Sequence, residues 1–214
     1  GRANRILFRF VDKVAISFKE SYAYLRRFEG KAVLTGNPIR QSLQRCQKER
    51  ALYFFGLRPG FCSALVMGGS QRSKAVNAAF VKALSQISCK ERVQVIHLCG
   101  AADYAFLEES YKKSKIQARL FSFLKEMQYA YSAADLVISR AGATTIAELI
   151  YFRLPALLIP YPYAYAHQNE NAKVLEKIGS AVIIQEDRVG SGVLAHTLEQ
   201  LISEASQMNA MRSG

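Results

Sequence analysis

The sequence predicts an α/β fold, a Rossmann-like parallel sheet with helices on both faces, and three observations point to it. Short apolar runs rich in Val, Ile and Leu recur through the central and C-terminal parts. Longer amphipathic stretches separate them, and glycine, proline or polar residues flank each run. Short, continuously apolar strands are what a sheet buried on both faces requires. Strand and helix alternate at each step, and a parallel crossover lays its helix on a face of the sheet.

Residues 1–35 obey a different rule. Residues 2–10 form a basic amphipathic stretch, 14–18 read as a strand, and 32–35 read as a second short strand. Gly36-Asn37-Pro38 then marks a turn or an interdomain connection, because the residue before a proline is driven out of the helical region. The boundary is placed there, with 1–35 a remnant of a neighbouring domain and 36–214 one domain. The chain opens at Gly1 without a methionine or a signal-peptide pattern, and reads like the middle of a longer protein.

Beyond the boundary, strands are expected at 64–67, 93–98, 118–121, 136–138, 156–159 and 181–184. Helices are expected at 74–87, 104–113, 127–133, 144–152 and 168–178, where apolar residues recur at helical spacing. No internal repeat or low-complexity segment interrupts them.

Half of the 214 residues are hydrophobic, enough to fill a core and contrary to disorder. No apolar run approaches the ~20 residues that span a bilayer. Cys46, Cys62, Cys89 and Cys99 are irregularly spaced, and His97, His167 and His196 complete no zinc pattern with them. Buried free thiols in a reducing cytoplasm are the simpler reading. The formal charge of +12 fits nucleic acid, an anionic membrane surface or a phosphorylated substrate. Its basic residues are scattered, and no RNA-binding signature or arginine-rich arm is present.

Three strand ends carry ligand-type loops. The first is Met67-Gly68-Gly69-Ser70-Gln71, between a strand and a helix. Two glycines let backbone amides approach a phosphate, and the helix after them presents its positive end. It is neither a Walker A loop nor a G-x-G-x-x-G fingerprint. The second runs from Ser139 to Glu148, a small-residue turn into a helix whose first turn holds Thr144 and Thr145. Glu148 is placed to accept hydrogen bonds from a ribose diol, or alternatively to favour the positive end of its own helix, worth ~0.5 kcal/mol. The third is Pro160-Tyr161-Pro162 with His167-Gln168-Asn169-Glu170-Asn171 after it. Gln168 and Asn171 share a helical face, and their amides suit sugar hydroxyls, which both donate and accept. His167 reads as a capping or surface residue. Ligands of open parallel sheets lie at the carboxyl ends of the strands, so the three loops together argue for a nucleotide-sugar or dinucleotide site.

Read together, Gly36-Asn37-Pro38-Ile39-Arg40, Gly68-Gly69-Ser70-Gln71, the 139–145 turn and His167–Ala172 resemble the MurG family, glycosyltransferases of family 28 with a two-domain GT-B fold. Ala133-Ala134-Asp135-Leu136 and Gly179 fit as well, and the likeness extends from about Asn4 to about Glu186. The resemblance implies transfer of N-acetylglucosamine from UDP-N-acetylglucosamine to lipid I, with inversion, to form lipid II. This chain would supply the C-terminal donor domain. The catalytic base and the acceptor and membrane-docking surface would lie in the absent N-terminal part.

By that resemblance Arg40 and Ser70 face the diphosphate, and the backbone of Leu124, after Phe123, reads the uracil. Ala143, Thr144, Thr145, Ile146 and Ala147 wrap phosphates and ribose, Glu148 takes the ribose hydroxyls, and Gln168 contacts the sugar. No cofactor and no tightly bound metal are expected. The partners implied are the UDP-sugar, lipid I through the other domain, and the anionic cytoplasmic face of the bacterial inner membrane, with no nucleic acid. One departure stands out: Arg72 occupies the place of a further glycine in the first loop, which puts that loop's geometry and Ser70 in question. Two alternatives stay open, another UDP-sugar-dependent GT-B glycolipid synthase and a non-catalytic basic protein that binds nucleic acid.

Overall fold

The structure, a computed structural model, describes residues 6–25, 30–68, 74–163 and 167–213. The chain divides into two units, 1–40 and 41–214. In the first, β1 (Val14–Ile16) and β2 (Ala32–Leu34) pair in parallel, Val14 opposite Ala32. The strand expected at 14–18 stops at Ile16, because Phe18 opens a 3-10 helix, Lys19–Tyr24, and its carbonyl accepts from Ser21 N–H at 3.0 Å. Thr35 N–H still bonds Ile16 O at 3.1 Å, one step past the end of β2.

The second unit is built on six parallel strands: β3 (Cys62–Met67), β4 (Val93–Leu98), β5 (Gln117–Phe121), β6 (Leu136–Ser139), β7 (Ala156–Leu158) and β8 (Ala181–Ile183). Their spatial order is β5-β4-β3-β6-β7-β8. The first three strands step outward in one direction from β3. The chain then returns to lay β6 on the other side of β3 and steps away in the opposite direction. The reversal between β3 and β6 is the topological switch point, the place where open parallel sheets bind their ligands.

Alternation along the strands supplies two buried faces. Val66, Val95, Ile138 and Leu157 belong to one core cluster with Phe80 and Leu198. Leu65, Ile96, Val137 and Leu158 point to the opposite face and are fully buried too. Helices cover both faces: α1 (Lys48–Phe55), α2 (Lys74–Gln86), α3 (Tyr104–Ser114), α4 (Met127–Ala133), α5 (Ala143–Phe152), α6 (His167–Lys177), α7 (Val193–Ser203) and α8 (Ala205–Ser213). Five of these match the expected helices to within a residue or so at each end. The other three, α1, α7 and α8, have no counterpart among the expected elements.

Asp135 explains how α1 and α8 are held. Its carboxylate pairs with Lys48 at 2.5 Å and Arg212 at 2.7 Å, and accepts from Ser63 N–H at 3.0 Å. Asp135 N–H returns a bond to Ser63 O at 2.8 Å, so one residue staples the entry of β6 to the entry of β3. The four cysteines are free, but only Cys89 and Cys99 are buried. Cys46 and Cys62 are half-buried, which corrects the expectation of four buried thiols.

Candidate functional site

The switch point lies between the carboxyl ends of β3 and β6, which are adjacent in the sheet. Met67 and Gly68 end the first strand and are buried. Ser70, Gln71 and Arg72 lie outside the described residues. β6 ends at Ser139, directly beside Met67 in the register. Buried Arg140 and Ala141 come next, and then Gly142, the N-cap of α5.

Among the described residues nothing requires a glycine at position 142. Its φ of −65° and ψ of 145° suit any residue. A Cβ added to it would meet only Thr145 Oγ1, at an ordinary 3.6 Å. The described residues leave this position open, in front of the helix end that favours anions. Thr144 is exposed, and Ala143, Thr145 and Ala147 are half-buried along the opening turns. Ile146 behaves differently: its side chain is fully buried and its N–H donates to Gly142 O at 2.9 Å. It anchors the turn and has no side chain to offer a ligand.

Glu148 is only 6 % exposed. It is the sixth residue of α5, past the first turn in which a helix dipole acts, so stabilising its own helix end does not account for it. Tyr131 on α4 donates from its hydroxyl to Glu148 Oε2 at 2.7 Å, and the same hydroxyl lies 3.7 Å from Met67 Sδ. The phenol thus joins the end of β3, α4 and α5. Its ring stacks on Phe152 with centroids 4.9 Å apart.

The loop after β7 is tied to the loop after β6 by Arg140. Its guanidinium, 6 % exposed, donates to the carbonyls of Ile159 at 3.0 Å and Pro160 at 3.2 Å. It also pairs with Glu186 at 2.5 Å and lies 5.3 Å from the centre of the Tyr161 ring. On α6, Asn171 donates to Ala141 O at 3.0 Å. Gln168 accepts from Tyr161 N–H at 2.9 Å, which fixes its carboxamide at the mouth of the loop. His167 is exposed at the start of α6. The second and third sequence motifs therefore meet through hydrogen bonds, and Arg140, a motif residue given no role by the sequence, is the clamp between them.

A buried polar network steadies the other half. His97 Nε2 faces Asn77 Oδ1 at 3.0 Å and His97 Nδ1 faces the Tyr111 hydroxyl at 2.9 Å. Asn77 Nδ2 donates to Cys99 O at 3.3 Å and to Asp103 at 2.8 Å, so its oxygen is the atom turned to His97. The proton consequently sits on Nε2, and Nδ1 accepts from Tyr111. Burial lowers the His97 pKa to about 3 and raises that of Tyr111 well above its ordinary value, so the imidazole and the phenol are both neutral. It holds the first turn of α2, the helix after the glycine loop, against β4 and α3.

Leu124 is buried in the turn between β5 and α4, beside Phe123, which is 76 % exposed. Arg40 is exposed at the end of the first unit. No group of His, Cys, Asp and Glu among the described residues could hold a metal ion. Two open surface depressions of about 500 and 470 Å³ flank α6 with β8 and α3 with β5. Tyr111 borders the second, and neither is lined by the residues of the β3, β6 and β7 loops or by Glu148.

Known proteins share this arrangement. The Glycosyltransferase family 28 C-terminal domain matches residues 63–214. A protein of Halothermothrix orenii is 37% identical over 99% of this chain and 59% of its own length. One of Desulfitobacterium hafniense (strain DSM 10664 / DCB-2) is 39% identical over 99% of this chain and 58% of its own. Both bear the name UDP-N-acetylglucosamine–N-acetylmuramyl-(pentapeptide) pyrophosphoryl-undecaprenol N-acetylglucosamine transferase. Among solved structures, Acinetobacter baumannii MurG superposes with a TM-score of 0.77 at 27% identity, covering all of this chain and 58% of that one. WaaG, a glycosyltransferase of lipopolysaccharide biosynthesis, shares the fold at a TM-score of 0.66 and 15% identity. The chain thus spans somewhat under three fifths of the length of the relatives it matches.

Proposed function

The chain belongs to the glycosyltransferase family 28 C-terminal domain family, and from that premise we propose that it is the donor-binding part of an N-acetylglucosamine transferase. The donor is UDP-N-acetylglucosamine and the acceptor is lipid I, a muramoyl-pentapeptide on an undecaprenyl diphosphate. The product is lipid II. The observation that carries the reading is the N-terminal end of α5 at the switch point, one turn beyond the end of β6 beside β3, with the buried carboxylate of Glu148 behind it.

In this reading the opening amides of α5, with Thr144 and Thr145, hold the diphosphate. Glu148 accepts from the ribose hydroxyls, and Gln168, oriented by the Tyr161 amide, reads the sugar. Leu124 presents its backbone to the uracil. Ser70 and Arg40 complete the diphosphate contacts, and Ile146 and Ala147 serve through their backbone. Departure of UDP develops negative charge on the β-phosphate, and fixed backbone donors there stabilise the transition state more than the ground state. The base that takes the proton of the acceptor hydroxyl is assigned to the N-terminal part of the longer enzyme, to which residues 1–35 contribute a remnant. Work on a lipid-linked acceptor places the enzyme at the cytoplasmic face of the inner membrane, where the +12 charge suits the anionic leaflet. Among the described residues no helix is long and apolar enough to cross a membrane.

The test is calorimetric titration of the 214-residue chain with UDP-N-acetylglucosamine, UDP-glucose, a TDP-sugar and a short DNA duplex. Saturable binding that prefers UDP-N-acetylglucosamine and weakens in Glu148→Ala and Gln168→Ala is the expected result. Binding to DNA that falls steeply with salt, without UDP binding, overturns the reading. The chain alone is expected to transfer no sugar to lipid I.

A further inference from the structure

We infer that Tyr131 is a positioning residue that makes Glu148 a reader of ribose, so that a tyrosine one helix away sets the preference of the site for a ribonucleoside diphosphate over its deoxy counterpart. The inference rests on the donor-site reading above. It begins from a cost. A carboxylate 6 % exposed has lost most of its water, and a lost hydrogen bond to a charged group is more expensive than one to a neutral group. The Tyr131 hydroxyl answers that cost at 2.7 Å, the short distance of a bond to a carboxylate.

The donor is itself immobile. Tyr131 is 1 % exposed, its ring is stacked on Phe152, and its hydroxyl is bounded on the other side by Met67 Sδ. Oε2 is therefore pinned, and with it the plane of the carboxyl group. Discrimination by hydrogen bonding depends on this. A site built to bond a hydroxyl rejects the analogue lacking it only when the polar group cannot turn away to another partner. Without the phenol, Oε2 loses the bond that fixes it at 2.7 Å, and hydroxyl binding then carries more of the entropy of ordering the carboxylate.

The test measures UDP and 2′,3′-dideoxy-UDP by calorimetry on the full chain, for the unaltered protein, Tyr131→Phe, Glu148→Gln and the double variant. Phenylalanine keeps the ring and its stack, and circular dichroism with thermal melting checks that the fold is retained. The unaltered chain is expected to prefer UDP by about tenfold to a hundredfold, the range of a hydrogen bond to a charged group. Tyr131→Phe is expected to narrow that ratio by at least about threefold by weakening UDP alone, and to add nothing in the Glu148→Gln background. A Tyr131→Phe protein that weakens both ligands equally has lost structure rather than ribose reading, and overturns the inference. So does one that still discriminates as the unaltered chain does. If the unaltered chain binds no UDP, or does not distinguish the two ligands, the donor-site reading itself fails and the inference falls with it.

Discussion

His97 makes the stability of the larger unit depend on pH in a way that can be isolated. The side chain is fully buried and neutral, with its pKa lowered by burial from 6.5 to about 3. Above pH 6.5 the imidazole is neutral in both the folded and the unfolded chain and contributes no pH dependence. Below 6.5 the unfolded chain takes up a proton that the folded chain refuses, so stability falls as pH falls, down to about pH 3 where the folded state also protonates. Each unit of pH in that window is worth about 1.4 kcal/mol, so the passage from pH 7 to pH 5 costs about 2 kcal/mol from this residue alone. Against a total stability of roughly 5–15 kcal/mol, that is a large share. With a urea dependence of about 2 kcal/mol per molar, the midpoint moves down by about 1 M. The comparison is His97→Gln, whose amide can still donate to Asn77 and accept from Tyr111 but does not titrate. Its absolute stability is not the readout; the difference between its midpoints at pH 7 and pH 5 is. Equal pH shifts in the two proteins would refute the argument and mean that His97 is protonated in the fold or reaches water.

Three further expectations rest on single contacts. Asp135→Ala removes the acceptor for Ser63 N–H and the shared partner of Lys48 and Arg212. About 2–3 kcal/mol of destabilisation is expected by chemical denaturation. Most of it comes from the backbone bond, since both cations are more than a third exposed and such pairs contribute little. Burial, and then the Asp135 carboxylate, push the Cys62 thiol up from 9.0 to about 12, so at pH 8 its thiolate is about a thousandfold scarcer than that of an ordinary cysteine. Mapping by mass spectrometry should find Cys62 unmodified by a thiol reagent in the native state and modified in urea, and rapid native labelling would contradict this. Gly56 ends α1 at φ +59°, where a side chain is strained, and a Cβ there would stand 2.9 Å from Arg119 Nη2. Gly56→Ala is expected to cost about 1–2 kcal/mol, measured as a lowered melting temperature.

The sheet was legible because its strands announce themselves locally. Residues 93–98 and the helix 127–133 carry their boundaries in their own letters, and the structure reproduces both. What the letters could not carry was the part held by distant partners. The eight residues of α1 are short for a helix and take their place from Phe55 in the core and from Lys48 on Asp135, 87 residues away. The helix α8 likewise depends on Arg212 reaching Asp135, 77 residues back. A pattern read in windows sees none of this, because the signal is a pairing and not a period.

The same division runs through the candidate site. Gly142, Thr144 and Glu148 were candidates from sequence because a backbone that approaches a ligand must be small and a helix must start there, both local demands, and the structure does start a helix at Ala143. Arg140 and Tyr131 were not given roles, although each is buried and each touches a loop of the site. Their use is fixed by the strand order: β6 lies beside both β3 and β7, so a residue at its end can clamp the β7 loop, and the helix leading into β6 can reach the helix leaving it. Candidate ligand residues therefore tend to be visible one at a time, whereas the residues packed against them become visible only once topology is known. The two kinds also differ in what their loss does. In the proposed reading, removing Glu148 deletes a contact, whereas removing Tyr131 leaves every proposed contacting group in place and changes only how firmly one of them is held. That is why a ratio between two ligands, and not an affinity, is the quantity that separates the roles.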